Sequence, residues 1–173
     1  MPTPPQPAPL EPPDSHHLRA ATGWFELGNL QEARAELALI TPALLNHPDV
    51  LDVCWQLLAH EKQWPACLAT ATLMTELAPR NILGWIHRSY ALHELKRTLE
   101  ARDNLLPLAA RFPVDFLLHY NLACYECQLG RLDQARRWLA QAVKIGEHAD
   151  VVAMALSDLD LKPLWPEIKN FQK

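Results

Sequence analysis

His119-Tyr120-Asn121-Leu122-Ala123-Cys124-Tyr125, followed by Leu129-Gly130-Arg131-Leu132-Asp133-Gln134-Ala135, carries the pattern from which the rest of the chain can be read. Tyr120, Leu122, Ala123 and Tyr125 form an apolar run. Leu132, Ala135, Leu139 and Ala142 return after the turn at helical spacing. Gly130 lies between the runs, where a residue without a side chain can end a helix by entering the left-handed backbone region. The segment reads as two amphipathic helices joined by a tight turn.

The same pattern recurs along the chain. Ala33, Cys67, Ala101 and Ala135 are spaced 34 residues apart without insertion or deletion. Gly28, Lys62, Lys96 and Gly130 keep that interval, as do Leu37, Ala71, Leu105 and Leu139. Two more columns hold Ile40, Met74, Leu108 and Ala142, then Ala21, Trp55, Ser89 and Ala123. Pro79 and Pro113 repeat at the same distance, each just after an apolar helical pattern. Small residues recur because two helix axes approach closely only where a side chain is short. One hairpin cannot bury its apolar face alone, so neighbours stack on it. The expected fold class is all-α, a solenoid of about four 34-residue helix-turn-helix repeats.

These residues resemble the tetratricopeptide repeat (TPR) family. The stretch from His119 to Ala135 follows the family's W-Y-N-L-G…G-x-L/Y-x-x-A pattern, with His119 in place of the usual Trp. Trp85, Ala101 and Pro113 carry the same signature one unit earlier. The first two units depart from it, since Trp55 stands where a small residue is usual and Cys67 replaces Ala. The resemblance spans roughly residues 14–148 and implies a right-handed α-solenoid with a C-terminal capping helix. It further implies that first helices line a concave face, that second helices form the convex back, and that the chain holds a segment of another protein. Projecting the register inward gives a candidate peptide-binding lining. It comprises Asp52, Gln56 and His60; Ile86, His87, Tyr90 and His93; and Tyr120, Asn121, Cys124 and Gln128. Tyr90 and Tyr120 are of the type enriched in binding hot spots, and Gln56, Asn121 and Gln128 can pair with a peptide backbone. Packing between adjacent first helices is the alternative role for each.

The boundaries follow from proline and capping residues. Residues 1–13 hold seven prolines and should form an extended, polyproline-like tail. Repeats are expected at approximately 14–47, 48–81, 82–115 and 116–149, with a capping helix and tail over 150–173. Asp14 or Ser15 should cap the first helix, and Pro65 should open a second helix. Pro107 should kink one, and Pro42 should end the first repeat's second helix early, leaving Leu44–Pro48 as a link. A short helix begins at Asp150. Leu159, Leu161, Leu164, Trp165, Ile168 and Phe171 should fold back on it, and similar Asp-x-Asp-Leu endings close many proteins of this kind.

Composition narrows the function classes. The chain has 173 residues and a net charge of −4, with no concentrated basic stretch, so nucleic acid is not an expected partner. Arg131, Arg136 and Arg137 sit among acids as a solvated helix face. No apolar run reaches the roughly 18 residues of a membrane span, and no secretory signal is visible, which points to the cytoplasm without a membrane partner. The four cysteines then read as reduced buried thiols.

Chemistry finds little footing. Cys124-x-x-Cys127 sits mid-helix, away from the helix N-terminus that would activate a thiol. A zinc site would need two more ligands, for which His93 and His60 are the candidates, but one C-x-x-C is a weak motif. Glu94, Glu126 and Asp133 define no carboxylate pair in a pocket, and His16-His17 is too short for a metal site. No Ser-His-Asp arrangement, phosphate loop or nucleophile elbow occurs. Trp24, Trp64 and Trp138 read as core. No catalytic residue, metal or cofactor is expected. Relatives that grip acidic chaperone tails use Lys, Asn and Arg on their first helices. Here those positions hold Leu18, Thr22, Val53, Leu83 and His87, or in the neighbouring register Asp52, Gln56, His87, Leu117 and Asn121. Neither supplies the cationic pair. The expected partner is a protein or peptide segment. Alternatives are a homo-oligomer formed through the Pro-rich or C-terminal tail, and a small chaperone for a secreted substrate.

Overall fold

A computed structural model of the chain describes residues 8–169; these residues form helices and turns and no strand. Four hairpins follow one another. They are α1 (Asp14–Glu26) with α2 (Leu30–Leu37), α3 (Pro48–His60) with α4 (Trp64–Leu77), α5 (Ile82–Glu94) with α6 (Thr98–Leu105), and α7 (Phe116–Gln128) with α8 (Leu132–Ile145). α9 (His148–Ser157), a 3-10 segment (Leu159–Leu164) and α10 (Trp165–Ile168) complete the described chain. First helices begin 34 residues apart, and so do second helices. The all-α helical-hairpin class expected from the sequence is the one adopted. No described helix is long and apolar enough to cross a membrane. The chain divides into two compact units, Met1–His87 and Arg88–Lys173, with the boundary inside α5.

The four tight turns are copies of one another. Gly28, Lys62, Lys96 and Gly130 all have positive φ, at 77°, 57°, 63° and 75°. In each, the N–H of this residue donates three residues back, and the next N–H donates five residues back. Gly28 donates to Phe25 (2.9 Å) and Asn29 to Trp24 (2.8 Å); Gly130 donates to Cys127 (3.0 Å) and Arg131 to Glu126 (2.8 Å). Lys62 and Gln63 bond Ala59 and Leu58, and Lys96 and Arg97 bond His93 and Leu92, in the same way. This is the Schellman closure, which satisfies carbonyls left over at a helix end. The column read as glycine and lysine from the sequence is thus a column of left-handed backbone.

The small-residue column is fully buried. Ala33, Cys67, Ala101 and Ala135 each have no solvent exposure. In the first unit, Ala21, Ala33, Leu37, Ile40, Val50, Val53 and Leu57 form one apolar cluster, against which Leu10 of the Pro-rich segment also packs. Ala8 in that segment accepts at its carbonyl from His47 Nε2 at 2.9 Å. In the second unit Leu105, Leu118, Leu122, Tyr125 and Leu161 are buried, each Leu contributing about 1.5–3 kcal/mol by burial. Glu126, 1% exposed, is held there by Arg102 at 2.9 Å and Arg131 at 3.4 Å, so its charge is compensated.

Several expectations are corrected. Asp14 does not cap α1. Its carboxylate accepts from the Thr41 backbone N–H (2.6 Å) and hydroxyl (3.1 Å), tying the start of α1 to the end of the first hairpin. Pro107 does not kink a helix: α6 ends at Leu105, and Pro107 lies in a 3-10 turn, Leu106–Leu108, where its missing N–H leaves no α-helical bond unmade. Trp24 is 37% exposed rather than core. Pro65 does open α4, as read. Leu161, Leu164 and Ile168 are buried in the closing segment, whereas Leu159 is 72% exposed; Phe171 lies outside the described residues.

Candidate functional site

In the second unit, the face of α7 read as peptide lining is covered by the chain's own closing segment. Tyr120 donates its hydroxyl to Asp158 Oδ2 at 3.0 Å, and the Cys124 thiol donates to the same oxygen at 3.4 Å. One turn on, the Gln128 amide donates to the Asp160 carbonyl at 2.8 Å. From α5, His93 Nε2 donates to Asp160 Oδ2 at 2.8 Å, leaving Nδ1 facing the Thr98 hydroxyl at 3.0 Å. The segment shapes itself, since Asp158 Oδ1 accepts from the Asp160 N–H at 2.9 Å. Helical spacing accounts for the convergence: Tyr120, Cys124 and Gln128 are four apart and share one side of α7.

Burial and charge act together on the titratable groups here. Tyr120 and Cys124 are pushed well above their ordinary values, chiefly by burial, with the neighbouring carboxylate of Asp158 adding to the effect on both and Cys124 to that on Tyr120. Cys127 is raised to about 11, mainly by burial. Tyr90, 39% exposed, is also raised by partial burial and by Glu94, Asp158 and Asp160. These thiols are held protonated, which removes them as nucleophiles at neutral pH. Among the described residues no group of three His, Cys, Asp or Glu side chains is arranged to hold a metal ion.

The first unit carries a different arrangement. His87 Nε2 donates to Asp52 Oδ1 at 2.6 Å, and the Gln56 amide donates to Oδ2 of the same carboxylate at 2.9 Å. The His87 ring lies flat on Trp55, with centroids 3.8 Å apart and planes 5° from parallel. This stacking accounts for a tryptophan at a position where a small residue is usual: its ring, 8% exposed, is covered by the imidazole. His60 is exposed and meets Phe25 edge-on at 6.2 Å.

The candidate lining therefore separates into four groups. His60 and Tyr90 are exposed, and Asp52, Gln56, His87 and Asn121 are half-buried. Ile86 is buried at 7%. His93, Tyr120 and Cys124 are buried, and Gln128, although exposed, is engaged by the segment 158–160. The latter four do not form an open wall. Asp158 and Asp160 belong to the site but were read only as part of a chain ending; their Asp-x-Asp spacing was the available signal.

No family model matches the sequence, and no curated protein does either. Solved structures do. A MamA RS-1 ArsTM double mutant has a TM-score of 0.67 at 16% identity, over 95% of this chain and 99% of that one. MamA AMB-1 has a TM-score of 0.60 at 17% identity, over 77% of this chain and 78% of that one. A MamA point mutant gives the same score and identity over 77% of each chain. With its identical left-handed turns and buried small-residue column, this chain has a tetratricopeptide-like fold of helical hairpins similar to that of the MamA structures.

Proposed function

We propose that this chain is a non-enzymatic interaction module whose first helices hold a segment of another protein. The fold shared with the MamA structures supports protein interaction in general. One observation carries the finer reading: on α7 the register positions expected to meet a partner already hold a polypeptide segment, through Tyr120, Cys124 and Gln128. The chemistry of that face, neutral donors directed at a turn's carboxylate and carbonyl, suits peptide recognition and supplies no reaction. Gln56, His60, Tyr90 and Asn121 offer further polar and aromatic contact on first helices. A cytoplasmic setting, in which the four free cysteines stay reduced, belongs to the same reading.

The test is affinity capture with the full chain and a Gln56→Ala, Tyr90→Ala variant of unchanged helix content. Partners captured by the wild type should be depleted by the variant. Equal recovery by both would remove these first-helix faces as the binding surface.

A further inference from the structure

We propose that the α7 face of the second unit is a recognition site for an Asp-x-Asp-Leu turn, that residues 158–161 are its intramolecular ligand, and that a partner segment bearing the same motif replaces them. This deepens the interaction reading above and rests on it. The motif is defined by what the face contacts. Asp158 is read by Tyr120 and Cys124, and Asp160 by His93 through its carboxylate and by Gln128 through its carbonyl. Leu161 follows with no exposure at all and supplies the apolar anchor. Leu159 between the two aspartates is 72% exposed, so that position is not read. The turn is also pre-shaped by its own Asp158-to-Asp160 hydrogen bond, which lowers the ordering cost of binding it.

Charge explains why the occupant can be exchanged. Among the described residues, the two carboxylates are met by a phenol, a thiol and one histidine, and neither forms an ion pair with Lys or Arg. Glu94 adds a third negative group near Tyr90. A ligand carrying two carboxylates onto a face without a strong cation is held by directed hydrogen bonds and by Leu161. Another segment with the same groups can make those contacts equally well. The tethered copy acts as a competitor, so apparent affinity for a second copy of the motif is the intrinsic affinity multiplied by the fraction of time the site is free.

The experiment uses a fluorescent peptide with the sequence of residues 157–165 and the full chain, read by anisotropy. The receptors are the wild type, Asp158→Ala with Leu161→Ala, and the isosteric Asp158→Asn with Asp160→Asn chain, which keeps Leu161 in place and guards against a folding defect in the first. Both variants should bind the peptide at least about ten-fold more tightly than the wild type does. A peptide with both aspartates changed to alanine should lose that binding, while a change at the Leu159 position should leave it intact. The proposal is overturned if neither variant with native helix content binds, if they bind no better than wild type, or if the aspartate-free peptide binds equally. No cellular partner enters this assay. Its failure beside a successful capture experiment removes the motif and leaves the interaction reading in place.

Discussion

His93 and Asp160 meet at 2.8 Å, Nε2 to Oδ2, across 67 residues of sequence. His93 is 8% exposed and its other ring nitrogen faces Thr98, so the ring orientation is set from both sides. A hydrogen bond involving a carboxylate in such a place is stronger than a neutral surface contact. It joins α5 to the segment that covers α7.

Removing either partner should destabilise the fold by about 1–2 kcal/mol. His93→Ala and Asp160→Ala should each lower the urea midpoint. The double variant should lose less than the sum, because the second change removes a bond already broken. Strictly additive losses would mean that the contact carries no coupling energy.

The left-handed turn column makes a prediction of opposite sign at its two residue types. Lys62 and Lys96 hold positive φ despite a side chain, which costs about 1 kcal/mol that glycine avoids. Lys62→Gly and Lys96→Gly should therefore raise stability, less the extra entropy of the unfolded chain. Gly28→Ala and Gly130→Ala should lower it by about 1 kcal/mol. An added Cβ at Gly28 or Gly130 meets nothing within 4 Å, so backbone conformation alone is tested. Thermal denaturation of the four variants is the measurement.

Gly84 tests a different cause. A Cβ there would lie 2.9 Å from the Met74 Cβ and 3.3 Å from the Met74 carbonyl carbon, where α5 crosses α4 in the first unit. Gly84→Ala should cost about 1–3 kcal/mol by overpacking, despite alanine's better helix propensity. Met74→Ala leaves both the Cβ and the backbone in place and should not restore the loss. Stabilisation by Gly84→Ala would show that the two helices separate without penalty.

The buried thiols predict an alkaline limit. Burial raises Cys67 and Cys127 to about 11 from an ordinary value of 9.0. Between these values the folded chain binds more protons than the unfolded chain, so raising the pH favours unfolding. Stability is fully present below about pH 9 and is lost as pH rises toward about 11. The urea midpoint should fall between about pH 7.5 and about pH 10, and both thiols should resist alkylation at neutral pH until the chain is unfolded. A midpoint unchanged over that range would contradict their burial.

The hairpin pattern was legible because its causes are local or periodic. Gly130 announced a left-handed turn, and the constant interval placed Gly28, Lys62 and Lys96 in its register; the positive φ of the two lysines came from the structure, since their identities alone would not suggest it. Ala33, Cys67, Ala101 and Ala135 marked a buried column because size is readable in a one-letter code. The tail-clamp and C-x-x-C readings turned on residue type, and neither register considered for the clamp places a cationic pair there. The actual partner of Asp14 was not legible, since a short carboxylate can serve its own helix, as expected, or a distant backbone, as observed. Its bond to Thr41 spans 27 residues.

The sequence by itself determined the helical-hairpin class, the position of each tight turn and the buried small-residue column. Backbone conformation and apolar periodicity are properties of short stretches, and repetition averages out local exceptions such as Trp55. Only the tertiary structure decided which first-helix positions stay open. Tyr120, Cys124, Gln128 and His93 are covered by Asp158 and Asp160 through hydrogen bonds spanning 32 to 67 residues. Those bonds join polar groups that leave no periodic trace, and they form only once α9 has turned the chain back onto α7.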